Sequence, residues 1–300
     1  MPENVKEEIE ELKEQVEEQP TLEEYMRGLS EQMKERIKAL PPLPKDYPLL
    51  RKYVELYYDV QKERIQMRNR ITSYLWLQAA RRGEVKEGDR RARGKFSKLA
   101  DDYIKHKVDV PDDVAYLVEL HNYLFEAERV LAIKLAEFAN NHPFYTAYLR
   151  HVKGIGPILA TAIIAYGPYS RFATVSKLWK YAGMAPGQGP GNPDKKYNRK
   201  MKVTLYKAAM QFVKLSDRSP YGRLYKKFRA EYDQKWEDRP KYQRYWASLR
   251  KVAKLFASHV WAKWWEVVEG KKAPTKPYPF VHQDGHADYY DPDDFTDVKV

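Results

Sequence analysis

The sequence predicts an all-α protein, and three observations carry the prediction. Apolar residues recur at steps of three and four through most of the chain, the period of a helix with one buried face. No run shows the strict apolar–polar alternation of a half-buried strand. Helix-start signals stand where the periodic stretches begin, notably Thr21 with Glu24 three residues on, and Pro111-Asp112-Asp113. The expected layout is an N-terminal helical hairpin or coiled-coil region followed by a helical domain that contains a helix-hairpin-helix.

Taken in order, residues 1–40 form an acidic helical segment. Val5, Ile9, Leu12 and Val16 keep helical spacing, and a second helix is expected over 21–39. Residues 41–48, PPLPKDYP, read as a linker, because prolines have no amide to donate inside a helix. A long helix is expected from Leu49 to Arg82, and the charged, Gly-punctuated run after it as an exposed connection. Another helix starts at Pro111, with carboxylates favouring its N-terminus. Leu117, Leu124, Leu131 and Phe138 follow at intervals of seven, with Leu120 and Ala127 between them. That seam suits pairing with another helix, although Lys134 interrupts it. Residues 49–147 are therefore expected to be a long-helix hairpin, residues 148–280 a basic domain, and residues 281–300 an acidic tail.

Composition narrows the function. Of 300 residues, 43% are hydrophobic, enough for a core, and none is cysteine. Disulfide scaffolds, thiolate metal sites and cysteine nucleophiles are thereby excluded. No run of apolar residues is long enough to span a membrane, and the acidic N-terminus has no apolar leader segment, so a cytoplasmic location is expected. The net charge of +12 is unevenly spread. Residues 1–40 carry −6, residues 41–150 carry +4, residues 151–280 carry +19, and the last twenty carry −5. So basic a block attracts polyanions, nucleic acid first among them.

The most specific local signal lies inside that block. In YLRHVKGIGPILATAII, residues 148–164, apolar stretches flank Gly154-Ile155-Gly156, and Pro157 opens the next helix. Two glycines allow a tight turn and a close backbone approach to a phosphate. The amides that follow stand at a helix N-terminus, unpaired and at the positive end of its dipole. Ile155 is expected to plug the hairpin into the core, and Lys153 to add a cation. A short helix carrying Lys177 and Lys180 should end at Gly183. The loop GQGPGNPDKK follows, holding Gly187, Gly189, Lys195 and Lys196. Beyond it, Met201, Leu205, Ala208, Phe212 and Leu215 mark the buried stripe of a helix whose other face sets Lys200, Lys207 and Lys214 seven residues apart, just after Arg199. Further helices are expected over 221–232 and about 240–269, with Trp261, Trp264 and Trp265 as core. Lys153, Gly154, Ile155, Gly156, Lys177, Lys180, Gly187, Gly189, Lys195, Lys196, Arg199, Lys200 and Lys207 are thus the candidate contacts to a DNA backbone.

Several of these motifs, in this order, resemble the C-terminal domain of the IS110/IS116/IS902-type insertion-sequence transposases. They are HVKGIGPILATAII, then RFATVSKLWKYAGMAP, then the Gly-rich basic loop, NRKMKVTLYKAAMQ, and a terminal RKVAKLFASHVWAKWWEVVEG. The likeness covers about 143–280 and implies a DNA partner. Members of that family also carry an N-terminal RuvC-like nuclease domain with metal-binding carboxylates, and a serine in the Gly-rich loop. Nothing in residues 1–48 reads as such a fold, and the loop here has no serine; Ser176, Thr204 and Ser216 lie outside it. No catalytic residue, metal or other cofactor is therefore assigned, and enzyme activity is left open, leaning against.

The expected function is binding of double-stranded DNA through its backbone, with little base selectivity and with oligomerisation through the N-terminal helices. A recombinase subunit using a partner's carboxylates, and an RNA-binding or architectural protein of a mobile element or virus, stand as alternatives. His282, Asp284, His286 and Asp288 are a weak metal candidate beside Gly285. The terminal DYYDPDDFTDV reads as a disordered, solubilising tail whose aspartates could compete with phosphates in cis.

Overall fold

The computed structural model describes residues 25–86, 93–185, 197–274 and 290–297. The described residues are helical and contain no strand. Ten α-helices follow in order: α1 Glu31–Ala39, α2 Tyr47–Arg81, α3 Arg93–Ile104, α4 Asp112–Asn140, α5 Pro143–Ala147, α6 Pro157–Ile164, α7 Val175–Tyr181, α8 Arg199–Leu215, α9 Pro220–Lys235 and α10 Lys241–Val267. The first expected helix lies outside the described residues. The second, 21–39, is interrupted. Gly28 takes φ +75°, and Ser30 starts α1 afresh by accepting the Met33 amide on its hydroxyl. At α2 the cap is Asp46, whose carboxylate accepts the Leu49 amide, so the helix begins inside the Pro-rich stretch.

The chain forms two compact units, residues 53–133 and the remainder. The division falls within α4, whose last turns belong with the basic block. In the unit of residues 53–133, α3 is an element the sequence reading passed over. Its Phe96 and Ala100 pack with Ile71, Leu75, Ala79, Val114 and Val118. Arg68 grips Asp101 with Nε and Nη2 at 2.6 and 2.8 Å, a two-pronged bond that holds the Asp101 carboxyl below its usual range. Arg64 and Gln61 meet the buried Glu128 carboxylate.

The other unit is organised around α10. Trp261 and Trp264 are fully buried, as expected of core aromatics. The Trp264 ring lies 4.9 Å from Phe144, 5.3 Å from Tyr169 and 6.0 Å from both Tyr47 and His142. The Trp261 indole donates to the Phe172 carbonyl, and the Trp179 indole of α7 donates to the Lys254 carbonyl on α10. Helix α8 carries Phe212, stacked on Tyr221 of α9 at 4.4 Å and edge-on to Phe256 of α10. Thr161 ties α6 to α4 by donating to the Leu135 carbonyl.

The segment expected to be a disordered tail is corrected by the structure. Tyr290–Asp297 folds onto this unit, with a 3-10 turn at Pro292–Phe295 and Phe295 buried. An aromatic anchor outweighs the acidic character of the sequence around it.

Candidate nucleic-acid interface

A turn is present at residues 153–156, but the arm before it is shorter than the expected motif requires. Before the turn stand only the five-residue α5 and a 3-10 turn at Leu149–His151; after it comes α6. Gly154 adopts φ +96°, and a side chain there would meet Leu215 Cδ1 at 2.9 Å and Gln211 Cβ at 3.3 Å. The glycine therefore serves a left-handed turn pressed against α8. Ile155 is buried, plugging the turn into the core as expected. Gly156 caps α6 in extended geometry with no side chain over the helix end. Ile158 and Leu159 are buried, so the first amides of α6 face protein, not a phosphate. Lys153 is exposed, and Gly154 and Gly156 are half-buried.

A second group of cations surrounds the root of the Gly-rich loop. Gly187, Gly189, Lys195 and Lys196 lie outside the described residues, as do the four His and Asp residues of 282–288, but the loop's two ends are well defined. The Asn198 amide donates to the Tyr181 carbonyl, and its side chain donates to the Tyr181 hydroxyl and accepts the Met201 amide. Gly183, at φ +67°, leaves room for the Tyr197 ring, which a Cβ would meet at 2.4 Å. Arg250 on α10 donates to the carbonyls of both Met184 and Ala185. The loop thus leaves from a clasped base. Around that base stand Arg171, over the Tyr181 ring at 4.8 Å, Lys202 over the Tyr197 ring at 5.0 Å, and the exposed Lys180, Arg199 and Lys200. Lys177 is exposed on α7.

The structure buries two of the candidate contacts, Ile155 and Lys207. Lys207 is only 4% exposed, and burial pushes its pKa down to about 7. It does not share a solvent face with Lys200 and Lys214, because neighbouring elements cover the middle of α8 and leave its ends open. Sequence reasoning missed Arg171 and Arg250. The Arg-Phe pair at 171–172 was visible, but the partners of Arg250 lie sixty-odd residues upstream.

Beside the hairpin, Lys153 is half exposed and lies 3.5 Å from Asp297, whose amide donates to the His151 carbonyl. Among the described residues no group of three or more His, Asp or Glu is placed to hold a metal ion, and no helix is long and apolar enough to cross a membrane.

Neither the curated proteins nor the solved structures compared with this chain match it. One family does, the Transposase IS116/IS110/IS902 family, over residues 146–225. The matched stretch opens at the hairpin, includes α6, α7 and the clasped loop, and ends within α9. Over these residues the chain is similar to that family.

Proposed function

We propose that the chain binds double-stranded DNA by its sugar–phosphate backbone, with little base selectivity. The observation that carries this reading is the clasped loop root, where Arg171, Lys180, Arg199, Lys200 and Lys202 gather about the base of a Gly-rich basic loop inside the transposase-type domain. Cations on a fixed base meet phosphates with less entropy to lose than cations on a free chain. The hairpin turn supplies a second contact through Lys153 and the backbone of Gly154 and Gly156. Oligomerisation through the N-terminal half would cover Tyr116 and Tyr123, seven residues apart on α4 and 72% and 71% exposed.

Fluorescence anisotropy with a labelled duplex tests the reading. The informative variants are Lys153→Ala and Lys177→Ala/Lys180→Ala, since a valine at Gly154 would also displace Leu215 and Gln211. Each lysine removed is expected to weaken binding several-fold at low salt. Unchanged affinity in both variants refutes the site. Preference for structured RNA over duplex DNA by tenfold or more would transfer the same cations to an RNA partner.

The family match favours a second reading, a recombinase subunit whose carboxylates come from another chain. It predicts strand cleavage or joining once that chain and Mg²⁺ are supplied, and it fails if no cleaved or covalently attached DNA is found.

A further inference from the structure

The C-terminal segment is held by an aromatic lock. Phe295 packs 4.5 Å from the Tyr221 ring and 5.1 Å from His259. The Tyr290 carbonyl accepts a hydrogen bond from His259 Nε2 at 3.1 Å, while His259 Nδ1 accepts the Tyr221 hydroxyl at 2.7 Å. Burial holds the His259 pKa down at about 3, so the ring stays neutral and this donor–acceptor arrangement is fixed. Lys227 reaches the Tyr290 hydroxyl at 3.3 Å.

The lock delivers carboxylates to particular cations. Asp293 lies 2.6 Å from Lys263, and Asp297 lies 3.5 Å from Lys153, the hairpin's own lysine. The Asp297 amide is bonded to the His151 carbonyl at 2.8 Å, which sets the segment's last described turn against the hairpin's first arm. A carboxylate fixed on Lys153 occupies the place a phosphate would take.

We propose that Tyr290–Asp297 is a built-in competitor: anchored by Phe295, it sets Asp297 on the hairpin lysine and must leave before that lysine meets a nucleic-acid phosphate. The inference rests on the DNA-binding reading above. A site open in only a fraction of molecules shows its affinity reduced by that fraction, so releasing the segment tightens binding without any new contact.

The test uses the full chain and a fluorescein-labelled duplex, with folding checked by circular dichroism. Phe295→Ala leaves every charge in place and removes the anchor; Asp293→Asn/Asp297→Asn keeps the anchor and removes the two lysine contacts. Both are expected to bind up to several-fold more tightly than wild type, the most that freeing one lysine contact can return. Asp294→Asn, a charge removed outside the two lysine pairs, is expected to change affinity by less than about twofold. Hydrogen exchange adds a readout independent of affinity, since the Asp297 amide should exchange faster once duplex is added. Duplex binding in which folded Phe295→Ala and the double variant both match wild type overturns the competitor alone. Absence of binding by wild type and variants alike overturns the competitor together with the DNA reading beneath it.

Discussion

Replacing Lys207 with methionine isolates the cost of a buried ammonium and separates it from any role in binding. Burial lowers the Lys207 pKa from 10.5 to about 7. The unfolded chain therefore keeps this proton up to about pH 10.5, while the native chain has released half of it by about pH 7. Across that window the unfolded state binds more protons, so native stability climbs as pH rises. At 1.36 kcal/mol per pKa unit, the penalty is about 4 kcal/mol at pH 7 and about 1 kcal/mol at pH 9.5. Lys207 is almost wholly enclosed, so solvent screening calls for no discount. Methionine has a similar length and no charge, and should recover most of that cost. Guanidinium unfolding followed by circular dichroism, at about pH 7 and pH 9.5, reads the difference. The variant should be more stable at both, with its advantage shrinking by about 3 kcal/mol at the higher pH. Lys254, whose pKa burial and the neighbouring Arg250 lower to about 8, and the buried tyrosines are common to both proteins and cancel in the comparison. An advantage that stays constant with pH, or a variant less stable at pH 7, refutes the reasoning. Duplex affinity should be unchanged, because a lysine inside the fold touches no phosphate.

Three further outcomes follow from the packing. Trp264→Ala should cost about 3–5 kcal/mol of stability on thermal or denaturant unfolding, since Tyr47, His142, Phe144 and Tyr169 all border its ring. Arg64→Met should cost about 3 kcal/mol by the same assay, by leaving the Glu128 carboxylate buried with Gln61 as its remaining described donor. Arg250→Ala should cost about 1–3 kcal/mol and loosen the loop root, seen as faster proteolysis within 184–198, because the Met184 and Ala185 carbonyls lose a charged donor.

Long amphipathic helices were legible because their evidence is local. The 4-3-4-3 stripe from Met201 to Leu215 and the Pro-Asp-Asp start at 111 each lie within one element, and both produced helices close to those expected. Helix α3 was missed although Phe96, Leu99, Ala100 and Tyr103 keep helical spacing, because the charged run before it dominated the reading. Lys207 shows a limit of periodicity. Seven-residue spacing does align it with Lys200 and Lys214, but which part of a face is covered depends on the neighbouring helices. The C-terminal segment shows the same limit at long range. Phe295 stood in view among aspartates, but the Tyr221 and His259 rings that hold it come from helices well upstream. In the candidate site the glycines and the exposed lysines could be read from the sequence. The partners that fix them, Leu215 behind Gly154, Tyr197 over Gly183 and Arg250 under the loop, could not, since no local pattern pairs residues so far apart.

The salt dependence of duplex affinity tests the central claim most directly. Seven cations, Lys153, Arg171, Lys177, Lys180, Arg199, Lys200 and Lys202, stand at the proposed contacts. If they displace counterions from phosphates, log affinity should fall against log salt with a slope of about −6. The slope should be the same for two duplexes of unrelated sequence, and shallower by about 1 in Lys153→Ala. A slope near zero, or one duplex favoured over the other by a hundredfold or more, would contradict a backbone grip.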